Sequence, residues 1–133
     1  IDMGFRYEKL CELSQLVQEA SGIRMAPYKP VVGESAFGYE AGIPVNLCRR
    51  LKPLNQLQMV LGILPEFVGN KLIIAIGKKS GGASIEWRLE QMGKTATPEQ
   101  VNTILSKVKD ASLRNQRALT DEEFKEIVTG VLN

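Results

Sequence analysis

Pro30-Val31-Val32-Gly33-Glu34-Ser35-Ala36-Phe37-Gly38-Tyr39-Glu40-Ala41-Gly42 (PVVGESAFGYEAG) is the stretch on which the reading of this chain turns. Glycines at 33, 38 and 42 interrupt any helical or strand period, so the spacing predicts an ordered loop with a helical portion. Its polar side chains are Glu34, Tyr39 and Glu40. Two carboxylates beside a phenol are the parts needed for acid–base chemistry when they are buried together. These three are therefore candidate catalytic residues. The plainer alternative is that the acids are solvated or cap a neighbouring helix.

Upstream, Pro27 and Pro30 disfavour helix in the residues before them, so residues 23–30 are expected to be extended. Before that, Leu10, Leu13, Val17 and Ala20 recur at three- and four-residue steps. This is one face of a helix over 6–21, closed by Gly22. Downstream, Pro44 is suited to the first turn of a helix over 45–51, and Pro53 ends it. Residues 54–64 are apolar without a clear period. Lys71–Ile76 (KLIIAI) is the best strand, being short and β-branched. A Gly-rich turn follows, then a helix spaced by Ile85, Leu89 and Met92 and closed by Gly93, with Trp87 as a core or interface anchor.

The last third carries two helix-start signatures. Thr97-Pro98-Glu99-Gln100 and Thr120-Asp121-Glu122-Glu123 each place a capping threonine three residues before Gln or Glu. Apolar stripes follow at Val101, Ile104, Leu105, Val108 and Ala111, and at Phe124, Ile127, Val128 and Val131. The expected fold is mostly α (α+β): small helical subdomains with one or two short strands. Two packing units are expected, residues 1–53 (a linker helix plus the Gly-punctuated loop) and 54–133 (a helical subdomain with a short strand).

Composition narrows the function. The 133 residues are 44% apolar and 24% charged, with net charge +2, which is globular rather than disordered. Lys and Arg are interleaved with acids, so no basic patch for nucleic acid is visible. The apolar runs are too short to span a bilayer. Cys11 and Cys48 stand outside any metal-ligand spacing, which favours a reducing cytosol over a disulfide scaffold. Cys48 beside Arg49 and Arg50 is read as a small core filler rather than a reactive thiol. Histidine is absent, removing the commonest general base near neutral pH and the commonest zinc ligand. No metal site is expected within the chain. Met3 behind Ile1 and Asp2, with a helix starting almost at once, reads as a chain cut from something longer.

Gly77-Lys78-Lys79-Ser80-Gly81-Gly82 lies before a helix but lacks P-loop spacing. Lys78, Lys79 and Ser80 are a weak anion-site candidate, against the plainer reading of a Gly-rich turn.

Lys29–Phe37 followed by Glu40-Ala41-Gly42-Ile43 resembles the segment "nKPivGenAFaHesGIH" of the isopropylmalate, homocitrate and citramalate synthases. These belong to the DRE-TIM metallolyase superfamily, which also holds lyases of the hydroxymethylglutaryl-CoA type. Pro65–Gly69 and Ile73–Gly82 are similar to the family's "PelvG…ivlGkhSGr". The helices of 97–128 resemble its ending, and Leu10–Ile23 the helix before the region, so nearly the whole chain is covered.

The resemblance implies a post-barrel, or communication, region. The TIM barrel that normally precedes it is absent here and would carry the divalent metal. Implied partners are the barrel of the same chain and that of a second subunit in a homodimer, whose active site this region would cover. Acetyl-CoA is the candidate substrate of the parent, and 2-keto or hydroxy acids are its acceptors. The segment is not expected to be active on its own, nor to carry a cofactor. The family's two histidines in this motif correspond to Tyr39 and Pro44, and its following tyrosine to Asn55. Those substitutions leave open a carbon–carbon lyase, a purely dimerising or regulatory module, or an unrelated small helical binding domain.

Overall fold

A computed structural model describes residues 4–133; Met3 and the two residues before it lie outside them. Among the described residues there are six α-helices: α1 (Leu10–Ser21), α2 (Gly42–Leu51), α3 (Gln58–Leu61), α4 (Gly82–Gln91), α5 (Pro98–Asn115) and α6 (Asp121–Leu132). Short 3-10 turns occupy Tyr7–Lys9 and Pro65–Val68. Two-residue strands β1 (Gly38–Tyr39) and β2 (Ile73–Ile74) form a parallel pair. Phe37 O accepts from Ile73 N–H at 3.1 Å and Tyr39 O from Ala75 N–H at 2.9 Å. The mostly helical expectation holds, and none of these helices is long and apolar enough to cross a membrane.

Contacts divide the chain into two discontinuous units. Unit 1 is residues 1–38 with 56–73, and unit 2 is residues 39–55 with 74–133. Within unit 2, α2 packs on α4.

Unit 2 is built on a side-chain core. Both capping boxes form: Gln100 N–H donates to Thr97 Oγ1 at 3.3 Å, and Thr97 N–H to Gln100 Oε1 at 2.9 Å. Thr120 and Glu123 repeat the arrangement at 3.3 and 2.8 Å. Each box satisfies two amides that a helix start leaves unpaired, worth about 1 kcal/mol per cap. Behind them α5 buries Val101, Ile104 and Val108, and α6 buries Phe124 and Val128. α4 packs on α2 and on α5, burying Ile85, Trp87 and Leu89. Arg88 ties α4 to α6, with Nη2 on Asp121 Oδ1 at 2.6 Å and its guanidinium 5.6 Å from the Phe124 ring. That contact holds the Asp121 carboxyl below its usual range. α2 starts three residues before its expected first residue, taking Pro44 within its first turn, where a missing N–H is tolerated.

Unit 1 is held differently. Residues 27–37 run through turns with no helix, so the helical portion expected in the Gly-punctuated loop does not form there. Val31 has φ 70°, with Val32 N–H donating to Pro30 O at 2.8 Å. This is the strained form of the three-residue turn. Gly33 passes so close to neighbouring backbone that a Cβ there would lie 2.3 Å from Pro27 O. Gly69, at φ 73°, would place a Cβ 2.3 Å from Glu8 O. Asn70 Nδ2 bridges to Val31 O and Gly33 O at 2.9 and 3.0 Å. Gly22 closes α1 at φ 71°, as its position suggests, yet α1 buries none of its residues. An apolar groove of about 610 Å³ runs along it, lined by Leu10, Leu13, Val17, Ile23, Met25 and Val32 among others.

Candidate functional site

The three acid–base candidates do not share a unit. Glu34 is an exposed residue of unit 1. It lines an open cleft of about 1360 Å³ to which Cys11, Arg24, Asn70 and Lys71 also contribute. Tyr39 and Glu40 belong to unit 2 and are half-buried. Tyr39 ends β1, and Glu40 follows it two residues before α2.

Glu40 and the Gly77–Ser80 turn, two constellations that look separate in the sequence, are one structure. Glu40 Oε1 accepts the Lys79 N–H at 2.8 Å. The neighbouring amides are also taken: Gly77 N–H donates to Ser80 Oγ at 3.0 Å, and Lys78 N–H to Ser112 Oγ at 3.1 Å. Ser112 in turn donates to Arg117 O at 2.7 Å, fastening the turn to the end of α5. A Cβ on Gly77 would lie 2.6 Å from Glu40 Oε1 and 3.1 Å from Ser112 Oγ, so a side chain there would push the Glu40 carboxylate aside. Nearby, a Cβ on Gly42 would come within 3.1 Å of Gly81 Cα, so the N-termini of α2 and α4 converge. The Glu40 carboxylate, bonded to the Lys79 amide of the turn that leads into α4, is thereby suited to a structural role.

Of the candidate anion-binding residues, Ser80 is 2% exposed and its hydroxyl is engaged by the turn. The Lys78 and Lys79 side chains are exposed, while their amides already have internal acceptors. The structure therefore brings these three residues together as a closed turn fastened by Glu40 and Ser112. Sequence reasoning missed Ser112; its signal was a serine continuing the apolar stripe of α5 at 101, 104 and 108. Asn70 was missed as well, because its partners lie 39 and 37 residues away.

The residues at the positions of the family's histidines and tyrosine all fall in unit 2. Pro44 is fixed in the first turn of α2, and Asn55 follows that helix at φ 55°. Cys48 is fully buried, and burial pushes its thiol pKa up. Its neighbour Arg49 is occupied by Glu86 and Glu90, with Nη2 2.6 Å from Glu90 Oε1. Cys48 is thus a core filler and not an activated nucleophile. Trp87 is a core anchor at 5% exposure, with the Lys52 ammonium 4.9 Å above its ring. Among the described residues no three His, Cys, Asp or Glu side chains are grouped to hold a metal ion, so these residues offer no donor set for the divalent ion that the resemblance implies.

Comparison with known proteins places this geometry. A family model described as homocitrate synthase post-HMGL domain-like matches residues 31–118. Homocitrate synthase 1 of Nostoc sp. is 37% identical over 128 residues, covering 96% of this chain and 33% of that protein. Homocitrate synthase AksA of Methanocaldococcus jannaschii is 40% identical over 133 residues, covering 99% and 31%. The 2-phosphonomethylmalate synthase of Streptomyces rubellomurinus is 34% identical over 127 residues, covering 95% and 32%. The chain spans about a third of the length of these relatives. With the matched model running from the strained turn at Val31 through the Glu40–Lys79 contact to the end of α5, the chain belongs to the homocitrate synthase post-HMGL domain-like family.

Proposed function

We propose that this chain is the C-terminal, non-barrel region of a metal-dependent acyltransferase acting on 2-keto acids. Acetyl-CoA is the candidate acyl donor, and the divalent metal is held by the barrel. In this reading the chain packs on the barrel of its own polypeptide and covers the active site of the second subunit of a homodimer. It works in the cytoplasm, contacts neither nucleic acid nor membrane, and is inactive alone.

One observation carries this: a segment covering a third of its relatives' length leaves the apolar face of α1 uncovered, with Leu13 54% and Leu16 61% exposed. Such a face is unfavourable in water and suits an interface. The relatives compared above are named as synthases, which supports acyl transfer.

Another observation favours a second reading, a carbon–carbon lyase or an enzyme with another acyl acceptor acting on hydroxy acids. Pro44 and Asn55 carry no group able to remove a proton from an acyl thioester, and phenols such as that of Tyr39 are weak bases at neutral pH.

The test uses the full-length polypeptide, with release of free CoA thiol from acetyl-CoA measured across short 2-keto acids, with and without divalent metal. Metal-dependent release is expected, with sedimentation of a dimer. Tyr39→Phe is expected to change turnover by less than about threefold, since removing a general base lowers it by about 100-fold or more. A fall of that size in a folded variant would assign proton transfer to Tyr39. An intact dimer that releases no thiol with any 2-keto acid counts against the transferase and leaves the lyase or a purely dimerising module.

A further inference from the structure

We propose that residues 27–37 form a two-state strap on the open cleft of unit 1, and that Asn70 is the latch holding it in a strained form. Val31, at φ 70°, lies in the left-handed region, where a β-branched residue is an outlier. Its turn is closed by Val32 N–H donating to Pro30 O at 2.8 Å, the strained kind of three-residue turn. Glycine adopts such a backbone without steric cost. It stands two residues on, at Gly33, and not at 31. Strain of this kind persists only where the surroundings impose it, and it collects at ligand clamps and switches.

The restraint on Val31 comes from another segment of the chain. Asn70 Nδ2 donates to Val31 O at 2.9 Å and to Gly33 O at 3.0 Å. Its Oδ1 accepts the Lys71 N–H at 2.8 Å, and its own N–H donates to Pro65 O at 2.8 Å. The side-chain amide is therefore oriented from behind, with both hydrogens turned to the strap. The strap's other bonds are internal: Gly33 N–H donates to Lys29 O, Ser35 N–H to Pro27 O and Ala36 N–H to Gly33 O. Phe37 O, which accepts from Ile73 N–H, fixes its far end.

A left-handed β-branched residue and a pair of amide hydrogen bonds are opposing effects of similar size. The relaxed form, with Val31 at negative φ and the Asn70 amide released, is then a minor state of roughly 0.1–10%. Val32, Gly33, Glu34 and Ser35 line the cleft together with Asn70, so the two forms give it two shapes. Glu34, next to Gly33, is carried with that wall. The latch thus sets where the Glu34 carboxylate stands in the cleft.

Amide hydrogen exchange in the full-length polypeptide tests this. Val31→Gly removes the strain and is expected to slow exchange at Gly33, Ser35 and Ala36 by about threefold to tenfold. An unstrained loop responds to such a change in the other direction, because glycine loosens the chain. The three amides are expected to slow by one common factor, within about twofold, as a single opening requires. Asn70→Asp keeps the shape of the latch and presents an oxygen to the two carbonyls. It is expected to speed the same amides by about tenfold or more. Core amides of α5 are expected to stay unchanged in both variants. Faster or unaltered exchange in Val31→Gly overturns the strain, and unequal factors overturn the two-state strap. Unaltered exchange in Asn70→Asp overturns the latch. Val31→Gly is expected to tighten the fold, so its result does not depend on whether Asn70→Asp folds.

Discussion

α5 and α1 start from the same grammar, an apolar stripe at three- and four-residue steps, and end in opposite situations. α5 buries Val101, Ile104 and Val108, while α1 buries nothing. The contrast extends to the units that hold them. The buried apolar side chains lie mostly in unit 2, with Phe37, Pro65 and Val68 those in unit 1 among the described residues. Unit 2 is organised by side chains meeting across helices. Unit 1 is organised by main chain passing close to main chain at Gly33 and Gly69, and by one asparagine amide spanning two carbonyls. A period in the sequence therefore tells which face is apolar and leaves open whether the same chain covers it.

The comparison can be broken most forcefully in the core. Phe124, 1% exposed, touches the Arg88 guanidinium as well as its apolar neighbours. Phe124→Ala is expected to destabilise unit 2 by about 3–5 kcal/mol in urea unfolding followed by far-ultraviolet circular dichroism. A loss below about 1 kcal/mol would mean that unit 2 does not depend on this core. Next in size is Asn70→Ala, which removes both donors to the Val31 and Gly33 carbonyls. It is expected to weaken unit 1 locally by about 1–3 kcal/mol, read as faster exchange of the amides at 29–36 with α5 unaffected. Equal loosening of α5 would join the two units into one cooperative block.

Thr97→Ala should lower stability by about 1 kcal/mol through loss of the cap on α5, with thermal unfolding as the check. Acid sharpens the same point. The Arg117 guanidinium and the Thr120 N–H hold Glu123 at a pKa of about 2, below its ordinary 4.5. A depressed carboxylate pKa contributes stability that is complete above 4.5 and is lost as pH falls toward 2. Unit 2 should therefore weaken across that window, and Glu123→Gln should flatten the slope there. The smallest effect is expected at Leu16→Ala in the 133-residue chain, within about 0.5 kcal/mol, because the side chain is exposed. A larger loss would mean that α1 is packed in solution.

The legible parts of this fold are those with local causes. Thr97 and Thr120 announce their helices within four residues, and Pro53 and Gly22 end theirs by geometry that needs no partner. The helical portion expected within the Gly-punctuated stretch does not form before α2. Its backbone is drawn into turns by Asn70, which is far away in sequence, and by the tight passage at Gly33. β1 is two residues long, too short for alternation to show, and exists because Ala75 and Ile73 supply donors to residues 39 and 37. The same distance effect governs the site. Glu40 and Lys79 could each be singled out by residue type, whereas their joining across 39 positions depends on the fold of unit 2. The glycines of the Pro30–Gly42 stretch were legible as punctuation, and the fold shows what two of them do: Gly33 and Gly42 allow backbone to approach backbone.

The contact between Glu40 and residue 79 is made to a main-chain amide, so the side chain at that position takes no part in it. Lys79 is exposed on a turn whose amides are all engaged. Position 79 is thus a fixed mount with a free post. A cysteine placed there and tagged with a spin label or dye would ride on backbone anchored to both Glu40 and the end of α5. Distances from that tag to a second one in the full-length polypeptide would test the packing proposed above.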